Sequence, residues 1–246
     1  MNTAYPTAAV LVIGNEILSG RTADANLNCI ARRLTDVGIQ LMECRVVKDV
    51  PANIVGALND LRGTYTYVFT TGGIGPTHDD MTTDCVAKAF GVAVERNAQV
   101  AEMLKASRGA RCNEETLRMA NFPIGARLIP TPEPTPPGYT MGNVHVLAGV
   151  PQVMQVMLEG VLPLLEKGVA IHTLSIDAMV SESLISRPFA EVQDAFPALE
   201  LGSYPFKAGQ RYGTSLVVKG TDRPLVEQAF AQVKQVLNQL GAEVRI

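Results

Sequence analysis

The chain has 246 residues, 47% of them hydrophobic and 18% charged, with a formal net charge of -3. This describes a folded chain with a filled core and room for one large domain or two modest ones. It excludes a broad basic surface for nucleic acid or acidic lipid, and no apolar run is long enough to span a bilayer. The four cysteines, Cys29, Cys44, Cys85 and Cys112, form no Cys-x-x-Cys pair. They signal neither a zinc site nor a disulfide framework and read as reduced core thiols, which fits a cytoplasmic protein. The N-terminus has no basic segment followed by a long apolar run, so no secretion signal is expected.

In chain order, the first element is the apolar run Ala8 to Ile13, a buried strand ending at Gly14. Asp24 can cap a helix with apolar positions Leu27, Ile30, Leu34 and Val37, ending at Gly38. Ile39 to Val47 is the next strand. Pro51 suits the first turn of a helix carrying Ile54, Val55, Leu58 and Leu61. Thr64 to Phe69, rich in β-branched and aromatic residues, predicts a third strand. A turn with three glycines follows and leads into a helix over 82–90, closed by Gly91. Residues 97–107 and 113–120 read as helices. Five prolines in the nine positions Pro130 to Gly138 require a loop or an extended hairpin. Asn143 to Ala148 is a strand, and Pro151 opens a helix to about Leu165. Strands alternating with helices predict an α/β fold, a parallel sheet covered on both faces, with ligands beyond the C-terminal strand ends.

A second, smaller α+β unit begins near Gly168, giving expected domains of 1–168 and 169–246. Val169 to Ile176 predicts a strand, followed by a helical region to about Phe196 with an interruption at Pro188. Leu201 to Phe206 and Thr214 to Val218 predict a hairpin. Asp222 to Leu240 is amphipathic, and Glu243 to Ile246 reads as a final strand.

The glycine turn is Thr70-Thr71-Gly72-Gly73-Ile74-Gly75-Pro76-Thr77-His78-Asp79-Asp80-Met81. Glycines let backbone N–H groups approach a ligand with no Cβ in the way, and a helix N-terminus favours an anion. It is neither a Walker loop nor a dinucleotide fingerprint. Two adjacent carboxylates beside an anion site make sense if a divalent metal lies between them and a phosphate, or if one of them moves a proton. Asp80 also has a plain reading as a helix N-cap.

Several stretches occur together and in order: Gly14-Asn15-Glu16-Ile17-Leu18-Ser19-Gly20-Arg21 with Asp24-Ala25-Asn26, then Val47-Lys48-Asp49, then the glycine turn, then Asn113 to Pro123, then Val144-His145-Val146-Leu147-Ala148-Gly149-Val150-Pro151. Through them the first 165 or so residues resemble the MoaB/Mog molybdopterin-binding family. The resemblance is stronger to the branch holding the N-terminal part of CinA and the molybdopterin-binding-like domain of FAD synthase. It implies a three-layer parallel-sheet domain. The remaining residues resemble the small KH-like domain of CinA-type proteins, but without a Gly-x-x-Gly loop they give no reason to expect RNA binding.

The resemblance implies one of two activities. One branch hydrolyses the pyrophosphate of ADP-ribose or FAD, releasing AMP, with a divalent metal such as Mg, Mn or Co. The other binds molybdopterin, either without catalysis or to activate it by adenylyl transfer. Thr-His-Asp-Asp looks like the FAD-synthase version of the turn, although His78 also reads as an ordinary loop histidine. The family turn makes Asp80 the first catalytic candidate, holding a metal with Asp79. Asp49 matches a second family aspartate, as the group that activates water or as an N-cap ahead of Pro51. Glu16 is a further metal-directed carboxylate or a loop salt bridge. Gly14, Asn15, Ser19, Asn26, Thr71, Gly72, Gly73, Gly75, Pro76 and Thr77 are the expected ligand contacts. The implied partner is a small nucleotide or pterin, with no nucleic acid and no membrane, in a homodimer or homotrimer.

Overall fold

Strand β1 (Thr7–Ile13) is apolar and almost wholly buried, and its alternation sets the architecture. Ala9, Leu11 and Ile13 enter one hydrophobic core, while Ala8, Val10 and Val12 enter another. A strand buried on both faces needs a helix layer on each. The computed structural model describes residues 5–132 and 135–245. The chain divides into two compact units, Met1–Gly168 and Val169–Ile246.

After β1 comes a single helical turn, α1 (Asn15–Leu18), then α2 (Asn26–Asp36), and the chain returns as β2 (Gln40–Val47) parallel to β1. The Asp24 carboxylate accepts the Leu27 N–H at 2.8 Å and so caps α2. Helix α3 (Pro51–Thr64) then leads to β3 (Tyr67–Thr71) on the other side of β1. Next in order are α4 (Thr82–Phe90), β4 (Val94–Arg96), α5 (Ala98–Arg108), α6 (Glu114–Arg118), β5 (Asn121–Pro123), β6 (Arg127–Leu128), β7 (Tyr139–Met141), β8 (Val144–Leu147) and α7 (Pro151–Val161). The sheet order is β2-β1-β3-β8-β7-β6. The first four strands are parallel, and β7 and β6 are antiparallel. One core is filled from α3, α4 and α5 by residues such as Leu58, Val86 and Leu104. The other is filled from α2 and α7 by Ile30, Leu34 and Leu158. Each such side chain contributes about 1.5–3 kcal/mol on burial.

The third strand begins at Tyr67, not Thr64, because α3 runs on to Thr64. The Asn143 amide donates at 3.0 Å to the carbonyls of Arg62 and Tyr65, satisfying acceptors at the helix end. Thr70 and Thr71 belong to the strand and are buried. Helix α7 stops at Val161 and continues as a 3-10 turn, Leu162–Leu164. The short strands β4 to β7 carry no sequence signal, since their partners define them: Glu95 pairs with Phe122 and Leu128 with Tyr139. Residues 133 and 134 of the proline-rich segment lie outside the described residues. The flanking Ile129 N–H and Gly138 carbonyl are joined at 2.9 Å. Of the four thiols read as core, only Cys85 is buried, and Cys44 is exposed. All four are unpaired. Burial pushes the Cys85 thiol up to about 11, so it stays protonated.

The second unit contains β9 (His172–Met179), α8 (Glu182–Ala195), β10 (Glu200–Ala208), β11 (Arg211–Gly220), α9 (Arg223–Gln239) and β12 (Glu243–Arg245). Its antiparallel sheet has the order β10-β11-β9-β12. Ala178, Leu216 and Val218 bury one face against Ile185, Phe189, Val226 and Val233 of the two helices. The predicted hairpin is β10–β11. The strand placed at Val169 starts instead at His172. The expected break at Pro188 does not occur, because α8 passes through it. Pro188 removes one N–H partner from Leu184, which is exposed to solvent that can replace it. The predicted last strand forms as β12; its final residue, Ile246, lies outside the described residues.

His145 on β8 is buried at 4% exposure and stacks on Phe69 with ring centroids 5.0 Å apart. Its Nδ1 pairs with the Thr140 hydroxyl at 2.9 Å, and its Nε2 has no partner. Burial first, then the nearby Arg127 charge, lowers its pKa to about 4. Above pH ~6.5 the group is neutral folded and unfolded, so it contributes no pH dependence. Between ~6.5 and ~4 the unfolded chain binds a proton that the folded chain excludes, so stability falls with pH by roughly 3 kcal/mol. Urea unfolding of wild type and His145→Gln at pH 7 and pH 4 tests this. The wild-type advantage is expected to shrink by about that amount at pH 4, and an advantage independent of pH would refute it.

Candidate functional site

The four parallel strands deliver their carboxyl ends to one edge of the sheet, β1 at Gly14, β2 at Asp49, β3 at Gly72 and β8 at Gly149. The chain order reverses on either side of β1, since β2 lies to one side and β3 to the other. A crevice forms at such a switch point. Here it is a cleft of about 670 Å³. Glu16, Asp49, Asp79, Asp80, Arg108 and Arg118 bring charge to it, and Ile13, Ile74, Phe122, Val153 and Met157 give it an apolar wall.

The glycine turn is held rigid from both ends. The Thr82 hydroxyl donates to the Gly72 carbonyl and the Thr82 N–H to the Gly73 carbonyl, each at 2.9 Å. The N–H groups of Gly73, Ile74 and Gly75 have no hydrogen-bond partner among the described residues. Donors left free along a cleft suit phosphate oxygens. Asp80 does not cap α4, whose N-cap position is Met81. Its Oδ2 instead accepts the Thr77 N–H at 2.8 Å and the Thr77 hydroxyl at 2.5 Å. A Cβ at Gly75 would lie 2.6 Å from that same oxygen, so glycine makes room for the carboxylate. Arg118 closes the arrangement from α6. Its Nη1 donates to the Thr77 carbonyl at 3.1 Å and its Nη2 to the Asp80 carbonyl at 3.2 Å.

Asp49 faces the cleft from the end of β2, and its Oδ2 accepts the Asn15 N–H at 2.7 Å. That bond, and Val50 as the N-cap of α3, exclude its N-cap reading. Glu16 makes no salt bridge among the described residues, and its carboxylate folds back over Gly14. Tyr139 also lines the cleft. Burial raises its pKa well above the usual phenol range, so it stays a neutral hydroxyl, 3.4 Å from Thr83 Oγ1.

Glu16, Asp49, Asp79, Asp80, Gly14, Gly72, Gly73, Gly75, Pro76 and Thr77 therefore line one cleft. Four other expected ligand contacts are not among its lining residues. Asn15 uses its backbone to fix Asp49. The Ser19 hydroxyl donates to the Glu16 carbonyl at 3.2 Å. Asn26 is buried and donates to the Gly149 carbonyl at 2.8 Å. Thr71 is buried within β3. Sequence reading missed Arg108, Arg118 and Tyr139. Arg118 lies in the Asn113–Pro123 stretch, but its partners Thr77 and Asp80 are distant in sequence.

Among the described residues no three His, Cys, Asp or Glu side chains are grouped to hold a metal by themselves. The cleft's possible metal ligands are oxygens, chiefly the carboxylates of Glu16, Asp49, Asp79 and Asp80, some already tied to N–H groups. Such a set fits a hard cation of the magnesium kind, which takes one or two carboxylates and completes its shell with water and substrate phosphates. It does not fit a thiolate- or imidazole-bound metal.

A family model described as probable molybdopterin binding domain matches residues 9–167. A second, described as FAD synthase, middle domain, matches residues 170–243. A relative in Archaeoglobus fulgidus is 30% identical over 229 residues, which cover 93% of this chain and 97% of the relative. A CinA-like protein of Syntrophus aciditrophicus is 34% identical over 211 residues, covering 80% of this chain and 50% of that protein. The chain spans less than two thirds of the length of several curated relatives, CinA-like proteins among them. The crystal structure of the protein CinA from Thermoplasma acidophilum matches with a TM-score of 0.59 at 34% identity, covering 64% of this chain and 96% of that one. Among the described residues no helix is long and apolar enough to cross a membrane.

Proposed function

Because the chain belongs to the family described as probable molybdopterin binding domain, we propose that its cleft binds a nucleotide pyrophosphate, ADP-ribose or FAD, and hydrolyses it to release AMP. The observation that carries this is the meeting of four carboxylates, two arginines and a glycine turn with free N–H groups around one cleft. Free amides and guanidinium groups bind phosphate oxygens. The carboxylates supply what binding alone does not need: a base, and ligands for a cation.

In this reading the turn amides and Arg108 hold the pyrophosphate. Asp49, fixed by the Asn15 N–H, takes a proton from the attacking water. The water oxygen bonds to one phosphorus, the bridging P–O bond breaks, and its electron pair leaves on the other phosphate. The proton on Asp49 then passes to solvent. Asp80 and Asp79 would hold a divalent cation, and Glu16 lines the same cleft. Such an ion, when bound, offsets charge building on the departing phosphate. Arg118, committed to the Thr77 and Asp80 carbonyls, keeps Asp80 in place.

Chromatography of products from ADP-ribose and from FAD, with Mg²⁺, Mn²⁺, Co²⁺ or chelator, tests the proposal. AMP that appears with metal and disappears with chelator is the expected result. The family description favours one rival, a molybdopterin-binding protein, either non-catalytic or an adenylyltransferase of cofactor assembly. Pterin binding with no AMP release under any metal would favour it instead.

A further inference from the structure

Strand β2 is one edge of the larger sheet, with β1 on one side and no strand on the other among the described residues. It is eight residues long and holds neither proline nor lysine. The other edges of the two larger sheets are blunted: β6 has two residues, β12 has three, and β10 carries Pro205, which has no N–H to offer. Which backbone groups β2 leaves open follows from alternation. The Val47 carbonyl accepts the Gly14 N–H, so Val47 and Arg45 turn their backbone groups toward β1. Cys44 and Val46 therefore turn theirs outward, where no strand meets them.

The side chains follow the same alternation. Met42 at 58% and Val46 at 37% exposure stand in the open, with the exposed Cys44 between them. Glu43 and Arg45 alternate with these and are partly buried. Arg45 bonds Glu43 through Nε at 2.8 Å and Asp60 through Nη1 at 3.0 Å, and its Nη2 has no partner among the described residues. The run Met42-Glu43-Cys44-Arg45-Val46 is self-complementary about its middle residue. Antiparallel pairing with a second copy, with Cys44 on the two-fold axis, sets Glu43 opposite Arg45 and Met42 opposite Val46. Opposite charges and apolar pairs facing each other across strands are both favourable. Cys44, with its N–H and carbonyl turned outward, exchanges both hydrogen bonds with the Cys44 of the other copy. Moving the axis by one residue sets Glu43 against Glu43 or Arg45 against Arg45, which is repulsive. Charge therefore selects one register.

We propose that two copies of this chain pair antiparallel through β2, centred on Cys44, so that their larger sheets join into one. Such a contact is isologous, the same patch serving both copies. The pairing does not depend on what the cleft binds. Because β2 leads into Asp49, it also braces that side of the cleft.

Sedimentation velocity over a concentration series, with cross-linking by a short bismaleimide, tests this on the full chain in wild type, Cys44→Ser and Cys44→Asp. Cys44 is exposed, so both variants should fold, and matching urea midpoints would verify that. Wild type is expected to sediment as a dimer and to give a covalent dimer with the linker, since the two Cys44 Cα atoms would stand about 5.5 Å apart. Cys44→Ser should keep the dimer and lose the cross-link. Cys44→Asp puts two like charges on the axis and should raise the dimer Kd by about 100-fold or more. Should Cys44→Asp fail to fold, the wild-type cross-link and its loss in Cys44→Ser decide the matter. A wild type that stays monomeric, an assembly that folded Cys44→Asp leaves intact, or one that gives no Cys44-dependent cross-link overturns the proposal.

Discussion

Asp80→Asn is expected to slow metal-dependent AMP release by about 100-fold or more, while changing unfolding free energy by less than about 1 kcal/mol. The two effects separate because Asp80 does two things with different atoms. Its Oδ2 holds the Thr77 N–H and hydroxyl, and an asparagine carbonyl oxygen can accept the same bonds. What asparagine lacks is the negative charge and the second carboxylate oxygen, which the proposed chemistry uses. Asp80→Ala would lose both the turn bonds and the charge. It should therefore lose activity and also about 1–2 kcal/mol of stability. AMP formation followed chromatographically, with urea unfolding of the same preparations, reads both quantities. Asp80→Asn turnover within tenfold of wild type would remove Asp80 from the chemistry.

How legible this was in the sequence varies with how local each cause is. Strand β1 could be read because burial on both faces demands an unbroken apolar run, and Ala8 to Ile13 is one. The limits of β3 could not, because Thr70 and Thr71 look like turn residues but are fully buried. Helix α8 passes Pro188 because the affected residue, Leu184, faces solvent, a fact about tertiary exposure. At the site, Glu16, Asp49, Asp79 and Asp80 were legible as carboxylates at the ends of strands or in the glycine turn. Asn26 does not line the cleft, because a polar side chain in a motif reads equally well as a ligand contact or as a buried brace, and here its amide nitrogen braces Gly149. Arg118 acts on Thr77 and Asp80, 41 and 38 residues away. No local pattern reports such a contact. The glycines were the most legible feature, and their spatial reason supports a sharper test.

Gly72→Ala should cost about 3–4 kcal/mol of stability and abolish most activity, while Gly91→Ala costs about 1 kcal/mol. Both glycines have positive φ, +99° and +68° respectively, so any L residue is strained at either. The difference lies in what a Cβ would meet. At Gly91 nothing lies within 4 Å, so backbone strain is the whole cost. At Gly72 the Cβ would stand 2.2 Å from the carbonyl oxygen of Ile13, a backbone atom with no rotamer to change. Neither side can yield cheaply. Gly14, which follows Ile13, donates its N–H to the Val47 carbonyl at 3.2 Å, tying the end of β1 to β2. Gly72 donates to the Leu147 carbonyl at 3.3 Å and accepts from the Thr82 hydroxyl at 2.9 Å, tying the turn to β8 and α4. Any relief must therefore separate β1 from β3 at their carboxyl ends, where the cleft carboxylates are mounted. Displacement of reacting groups by an ångström is enough to cost about 100-fold in rate. Urea unfolding of both variants, with AMP release measured beside it, decides the matter. Equal destabilisation of Gly72→Ala and Gly91→Ala would mean that the close approach of β1 to the turn constrains neither the fold nor the site.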